Sequence, residues 1–127
     1  MNGRTVLVVD DNRELLEAVA RVLRGAGYEV QATRDARAVI ELIRARPPDL
    51  VITDIMMPDR DGVEVITEIK KNTRGIRVLA MSGRRYLGAL DLLAMARTLG
   101  ADATLQKPFE GDELLAAIEP LFPPRPG

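Results

Sequence analysis

Acidic residues follow two short, strongly apolar runs of the chain, and their carboxylates are the groups best suited to chemistry. The run TVLVVD at 5–10 ends in Asp10 and continues into Asp11, and the run DLVITD at 49–54 ends in Asp54. Two unit charges about 4 Å apart repel by roughly 4 kcal/mol at an effective dielectric constant near 20. If these three acids converge, a cation must offset their repulsion.

A hard divalent cation suits such a cluster, because Mg²⁺ prefers oxygen ligands and the chain contains neither Cys nor His. Lys107 offers a second positive charge. The chain has 15 Arg and 3 Lys. Because Arg is the commoner cation in this chain, a Lys at this position indicates a need for a compact ammonium group rather than a planar guanidinium. A carboxylate beside a metal and an ammonium group can attack phosphorus to give an acyl phosphate, and Ser82 has a hydroxyl suited to contact the phosphoryl oxygens.

Short apolar runs alternate with amphipathic stretches along the chain, and this alternation predicts the elements that position the acids. Strands are predicted at 5–10, 28–34, 49–54, 76–82 and 103–108, and helices at 12–27, 35–48, 62–72, 87–99 and 111–122. Five strands alternating with five helices indicate an open parallel sheet within a three-layer α/β/α arrangement. The polar run at 28–34 is typical of an edge strand.

The strand order decides whether the acids meet. In the flavodoxin-like order 2-1-3-4-5, strands 1 and 3 are neighbours, and ligands bind beyond the carboxyl ends of the strands. Asp10, Asp11 and Asp54 would then converge at one edge of the sheet. Ser82 ends the fourth strand and Lys107 the fifth, so both are expected at the same edge.

Composition limits the classes of function. The 127 residues suit one domain, and the net charge of −1 gives no reason to expect binding to nucleic acid or to a membrane surface. The lack of Cys excludes disulfides and thiol catalysis, and the lack of His removes the commonest general base. With no signal peptide or membrane-length apolar run in the sequence, we expect a cytoplasmic domain at 1–122 and a Pro-rich tail at 123–127.

Five motifs, in this order, make the chain resemble a response-regulator receiver domain of the two-component, chemotaxis-regulator type. They are DD at 10–11, D-x-x-M-P-x-x-D-G at 54–62, SG at 82–83, LGAD at 99–102 and KPF at 107–109. Each motif alone is weak, and a DD pair could simply cap the first helix, for which Asn12 is the other candidate. Together, and mostly at strand ends, they are specific.

The resemblance implies a role for each residue at this edge. Asp54 would accept a phosphoryl group from the His of a sensor histidine kinase or of a histidine phosphotransfer protein. Asp10, Asp11 and Asp54 would bind Mg²⁺ together with the main-chain carbonyl of Met56. Such a protein is not an enzyme for an outside substrate, because it catalyses only its own phosphorylation and dephosphorylation.

The resemblance also implies contacts from Ser82 and Lys107 to the phosphoryl oxygens, and a cis peptide bond between Lys107 and Pro108. Output would pass through a downstream protein partner, or through an output domain attached in a longer regulator. Two alternatives stay open. One is a pseudo-receiver that binds proteins without phosphorylation. The other is a Mg²⁺-dependent phosphatase with an Asp nucleophile, against which the lack of a second acid at Ile55 or Met56 counts.

Some positions depart from the family pattern. Receivers usually carry Tyr or Phe three residues before the final Lys as a rotameric switch, and this chain has Thr104. Tyr86 is a candidate substitute, although a plain surface tyrosine explains it as well. Met56 and Arg84 occupy the two positions that, in the family, flank the path of the water that hydrolyses the phosphoryl group. The sequence therefore does not fix the lifetime of that group.

The predicted fourth helix carries apolar residues around more than one face. Such a helix suggests a docking surface, and we expect a homodimer or a partner interface through this helix, the fifth strand and the final helix, with Leu92 within it. A more deeply packed helix explains the same pattern.

Overall fold

Five strands form one parallel sheet in a computed structural model that describes residues 4–55, 62–72, 75–83, 94, 97 and 100–122. The strands are β1 (Thr5–Val9), β2 (Glu29–Thr33), β3 (Leu50–Asp54), β4 (Arg77–Gly83) and β5 (Ala103–Lys107). Their order is β2-β1-β3-β4-β5, and every adjacent pair is parallel. The predicted flavodoxin-like order is therefore confirmed.

The described residues contain four α-helices rather than the five that the sequence pattern predicts. They are α1 (Arg13–Gly25), α2 (Val39–Ala45), α3 (Gly62–Asn72) and α4 (Gly111–Ile118). Ala94 and Arg97 are also helical, and the remainder of the predicted helix at 87–99 lies outside the described residues. Within the described part of the chain, none of the helices has the length and apolarity that crossing a bilayer requires.

Three helices, α1, α2 and α4, are shorter than the stretches predicted for them, and two of these stretches include a 3₁₀ turn. The stretch predicted at 35–48 opens with a 3₁₀ turn, Ala36–Ala38, before α2 begins. The stretch predicted at 111–122 ends its α-helical part at Ile118 and continues as a 3₁₀ turn, Glu119–Leu121. Pro120 explains the second change, because it has no N–H group to donate to the carbonyl four residues earlier.

Apolar side chains alternate between the two faces of the sheet and form two cores. Val6 and Val8 point to the face covered by α1 and α4, where Leu23 and Leu114 are fully buried. Leu7 belongs to the opposite core, which α2 and α3 cover. This packing confirms the three-layer arrangement. Every residue of β3 is buried, so the strand that delivers Asp54 is rigidly packed on both faces.

The first acids lie in the loop between β1 and α1. Asn12 caps α1, since its Oδ1 accepts a hydrogen bond from the N–H of Leu15 at 3.1 Å. The alternative that Asp10 or Asp11 caps this helix is therefore wrong. Because another residue serves as the cap, both acids remain available at the carboxyl edge of the sheet.

A separate cluster fixes the start of β5 at the opposite edge. Oδ2 of Asp102 accepts hydrogen bonds from Nζ of Lys70 at 2.7 Å and from the N–H of Val78 at 2.8 Å. Burial alone raises the pKa of Asp102, but the hydrogen bonds from Lys70 and Val78 outweigh it and hold the pKa below its ordinary value. This cluster ties β5 to α3 and β4, and so sets the register that brings Lys107 to the other edge.

Candidate phosphoryl-acceptor site

Three carboxylates converge at the carboxyl edge of the sheet, as the strand order predicts. Oxygens of Asp10, Asp11 and Asp54 all lie within 4.8 Å of one another. Asp10 is only 1% exposed and Asp54 5%, whereas Asp11 is half-buried. Buried carboxylates need a compensating charge or hydrogen bonds, and their proximity makes that need larger.

Lys107 supplies that charge. Its Nζ donates to Oδ2 of Asp10 at 2.8 Å and to Oδ2 of Asp54 at 2.9 Å. Burial on its own lowers the pKa of Lys107, but the hydrogen bonds and charges of Asp10 and Asp54 outweigh it and raise the pKa above its ordinary value. Lys107 is therefore an ammonium ion at every pH at which the protein would work.

The backbone of the β1–α1 loop fixes Asp10 further. Its N–H donates to the carbonyl of Thr33 at 3.2 Å, which extends the pairing of β1 with β2 by one residue. Its Oδ1 accepts from the N–H of Asn12 at 2.9 Å. Lys107 bonds to Asp10 and Asp54. Of the three acids, Asp11 is the most exposed to solvent.

Ser82 lies at the same edge. It follows Met81, the register partner of Asp54 across the β3–β4 ladder. The Ser82 side chain is fully buried, and within the described residues its hydroxyl oxygen has no hydrogen-bond partner. A buried polar group without a partner costs free energy. A hydroxyl without a partner, at the edge of the sheet where the carboxylates collect, can donate to a bound oxyanion.

The oxygen-only donor set fits Mg²⁺. Carboxylates from two neighbouring strand ends are the hard ligands that this ion prefers, and it commonly binds through few protein groups while keeping several waters. The main-chain carbonyl of Met56, which completes the predicted ligand set, lies outside the described residues, as do Arg84, Tyr86 and Leu92.

The remaining predicted position, Thr104, is half-buried in β5 and pairs in register with Ala80 of β4. It therefore lies two residues before Gln106, the register partner of Ser82. The peptide bond between Lys107 and Pro108 is cis, as the resemblance implies.

Sequence reasoning missed one side chain that contacts this loop. Nε of Arg34 donates to the main-chain carbonyl oxygen of Asp11 at 3.1 Å. The two residues are 23 positions apart, so no local pattern connects them. The available signal was a cation placed directly after a strand whose carboxyl end lies at the edge where the acids collect.

Comparison with known proteins identifies the family. A family model for the response regulator receiver domain matches residues 6–119. The chain therefore belongs to the response regulator receiver family, the signalling module of two-component systems.

Curated relatives and solved structures agree with this assignment. The chain is 39% identical over 118 residues to the transcriptional regulatory protein PdtaR of Mycobacterium tuberculosis, covering 91% of this chain and 55% of the relative. It is 35% identical over 117 residues to the response regulator MprA of Mycolicibacterium vanbaalenii, covering 92% of this chain and 49% of the relative. The chain thus spans about half the length of these two relatives.

Solved receivers share the fold closely. A receiver domain protein from Clostridium thermocellum superposes with a TM-score of 0.84 at 30% identity, covering 93% of each chain. NtrX from Brucella abortus, solved in complex with ADP, gives a TM-score of 0.87 at 31% identity, over 94% of this chain and 27% of that chain.

Proposed function

We propose that Asp54 accepts a phosphoryl group from the phosphohistidine of a sensor kinase or histidine phosphotransfer protein, in a reaction that requires Mg²⁺. The observation that carries this proposal is the position of Lys107, whose ammonium group joins Asp10 to Asp54 while Asp11 lies within 4.8 Å of both. Family membership supports the same role.

The transfer makes one bond and breaks one. A carboxylate oxygen of Asp54 attacks phosphorus, the new O–P bond forms, and the N–P bond of phosphohistidine breaks, so that the electron pair returns to the imidazole nitrogen. Lys107 and the hydroxyl of Ser82 donate hydrogen bonds to the phosphoryl oxygens, where negative charge collects. Because β3 is fully buried, the nucleophile is held in position before the donor arrives.

Asp10, Asp11 and Asp54, with the carbonyl of Met56, would hold the metal. When bound, Mg²⁺ supplies positive charge to the attacking and phosphoryl oxygens. The chain's own residues prepare for that charge. Lys107 already neutralises part of the cluster, and the more open Asp11 gives the ion a carboxylate with which to begin binding.

We further propose that phosphorylation changes a protein-binding surface rather than turning over an outside substrate. The receiver would span 1–122 and act in the cytoplasm, with 123–127 as a tail. Its output would pass through a protein partner, through an attached domain if the chain is part of a longer regulator, or through a homodimer formed by the segment at 87–99, β5 and α4. The relatives are longer than the part that this chain matches. Thr104, in place of the usual aromatic residue, is the feature that keeps a phosphorylation-independent pseudo-receiver as the alternative.

Intact-mass spectrometry after incubation with acetyl phosphate and Mg²⁺ tests the proposal. The wild-type chain should gain one phosphoryl group, and Asp54→Ala should gain none. Asp112→Ala, which removes an exposed acid from the first turn of α4, is the matched control and should behave like wild type. No uptake by the wild type would favour the pseudo-receiver, and steady release of product from phosphate esters would favour the phosphatase.

A further inference from the structure

Arg34 makes a contact that the reaction described above does not use. It follows β2 directly, and its Nε donates to the carbonyl oxygen of Asp11 at 3.1 Å. The side chain is exposed and reaches from the edge strand to the loop that carries two of the three acids. A hydrogen bond from a charged donor is among the stronger ones in proteins.

The acids differ in how they are held. Asp10 has three anchors, through its N–H, its Oδ1 and its Oδ2. Asp11 is anchored through its main-chain carbonyl, and Arg34 provides that anchor. Among the described residues this is the hydrogen bond that the structure gives Asp11, so it has a share in orienting that residue.

The turn that carries Arg34 is itself braced. The N–H of Asp35 donates to Oγ1 of Thr33 at 3.1 Å, and Oδ1 of Asp35 accepts from the N–H of Arg37 at 2.9 Å. Thr33 also accepts the N–H of Asp10 through its carbonyl. The end of β2 therefore forms hydrogen bonds to two successive residues of the β1–α1 loop. The carbonyl of Thr33 bonds to Asp10, and the side chain of Arg34 bonds to Asp11.

Two effects of this guanidinium on a bound cation have opposite signs. Its positive charge repels a nearby Mg²⁺, although the exposed position screens that repulsion. Its hydrogen bond orients the Asp11 carboxylate and so favours binding. The direction in which Mg²⁺ affinity changes after removal of Arg34 therefore shows which effect is larger.

We propose that Arg34 is a positioning residue for the magnesium site, which it supports by holding the carbonyl of Asp11 so that the Asp11 carboxylate faces Asp10 and Asp54. This inference rests on the proposed Mg²⁺-dependent function. Outer-shell partners of metal ligands commonly change affinity by about 10–100-fold when they are removed. For one exposed bond we expect the lower end, a loss of about tenfold.

Calorimetric titration of the whole chain with Mg²⁺ alone tests the inference. Arg34→Ala should weaken binding about tenfold, and Arg34→Lys, which keeps a charged donor, should recover most of the loss. Arg13→Ala is the control for charge. Arg13 lies two residues from Asp11, carries the same charge as Arg34, and forms an ion pair with Glu17 at 3.7 Å. Its removal should leave binding unchanged or slightly tighter. Thermal unfolding in EDTA checks that each variant is folded, and loss of cooperative unfolding by Arg34→Ala would overturn the positioning role in favour of a purely structural one.

The outcomes separate this inference from the function on which it rests. A wild-type chain that binds no Mg²⁺ would overturn the magnesium-dependent function, and the role of Arg34 with it. Wild-type binding with equal or tighter binding by Arg34→Ala would overturn the positioning role alone. So would equal weakening by Arg13→Ala and Arg34→Ala, since Arg13 pairs with Glu17 and the effect would then not be specific to the bond from Arg34 to Asp11.

Discussion

Nζ of Lys107 lies 2.9 Å from Oδ2 of Asp54, and this contact passes across β4 to join the ends of β5 and β3. The same nitrogen lies 2.8 Å from Asp10, so one ammonium group serves two buried carboxylates. A metal-free cluster of three acids would otherwise repel strongly in this partly buried position. Lys107 therefore stabilises the site before any cation arrives, and under the proposed function it would also contact the phosphoryl group.

Lys107→Met should destabilise the metal-free protein. Removing the ammonium group leaves Asp10 and Asp54 buried without their shared partner, and breaking a buried pair typically costs about 3–5 kcal/mol. Because protonation of an acid relieves part of that cost, we expect a loss of roughly 1–3 kcal/mol in the free energy of unfolding at pH 7. Urea denaturation in EDTA measures it.

The control for Lys107→Met is Lys71→Met, at the exposed end of α3, which should change stability by less than about 0.5 kcal/mol. Added Mg²⁺ should return part of the stability lost by Lys107→Met, because the ion supplies charge to the same acids. Equal stability of Lys107→Met and wild type in EDTA would show that the cluster needs no ammonium group.

Ser82→Ala should slow phosphoryl uptake without lowering the stability of the protein. Within the described residues the Ser82 hydroxyl has no hydrogen-bond partner although it is buried, so its removal should leave stability equal or slightly higher. Phosphoryl uptake should slow by at least about tenfold, because loss of one preorganised donor to a transition state costs on the order of 10²–10³ in rate in well-studied enzymes. Stopped-flow uptake and thermal unfolding give the two values, and an unchanged rate would exclude a phosphoryl contact.

Asp102→Asn should weaken the fold in a pH-dependent way. Lys70 and Val78 hold the pKa of Asp102 below its ordinary value of 3.8, so the native state favours the carboxylate. The resulting stabilisation is present above that ordinary value and is lost as pH falls through the lowered folded pKa. We expect a loss of about 1–3 kcal/mol at pH 7 for the variant.

Stability measured from pH 7 down to pH 2 provides the check on Asp102. The difference between wild type and Asp102→Asn should shrink on acidification, because the wild type loses its ion pair with Lys70 as the carboxyl protonates. Asp112→Asn, at an exposed position, should show a much smaller difference. A constant difference across the whole range would contradict the pairing.

Gly100→Ala should destabilise the turn before β5. Gly100 has φ of +123°, and an added Cβ would lie 2.9 Å from Cγ of Lys70. Backbone strain of this kind costs about 1–3 kcal/mol, and displacement of Lys70 would also weaken its bond to Asp102. Gly25→Ala is the matched control, since a Cβ there meets no atom within 4 Å. Thermal unfolding should separate the two, and equal melting temperatures would contradict the strain.

The strands and the site acids could be predicted because both depend on short-range patterns, whereas the strand order followed from the flavodoxin-like arrangement. Apolar runs mark strands buried on two faces, and an acid directly after such a run must appear at the carboxyl edge. Asp54 and Asp10 follow this rule, and Lys107 ends its strand in the same way. Parallel strands place all of these ends at one edge of the sheet, and the strand order decides which of them are neighbours.

Other features depend on contacts between distant residues, which periodicity does not encode. The bond from Arg34 to Asp11 depends on how an exposed side chain crosses to a neighbouring loop. The LGAD motif at 99–102 marks Asp102 in the sequence, but its partners Lys70 and Val78 lie in α3 and β4, far from it along the chain. Pro120 is a local signal that the final α-helix ends early, yet the amphipathic pattern of the sequence continues past it.

Mapping the modified residue by peptide mass spectrometry tests the central claim most directly. The wild-type chain, treated with a phosphohistidine donor and Mg²⁺, is digested under conditions that preserve acyl phosphates. The account predicts a single phosphoryl group on Asp54, and none when EDTA replaces Mg²⁺. A phosphoryl group on Asp10, on Asp11 or on a hydroxyl residue, or equal labelling of Asp54 in EDTA, would contradict it.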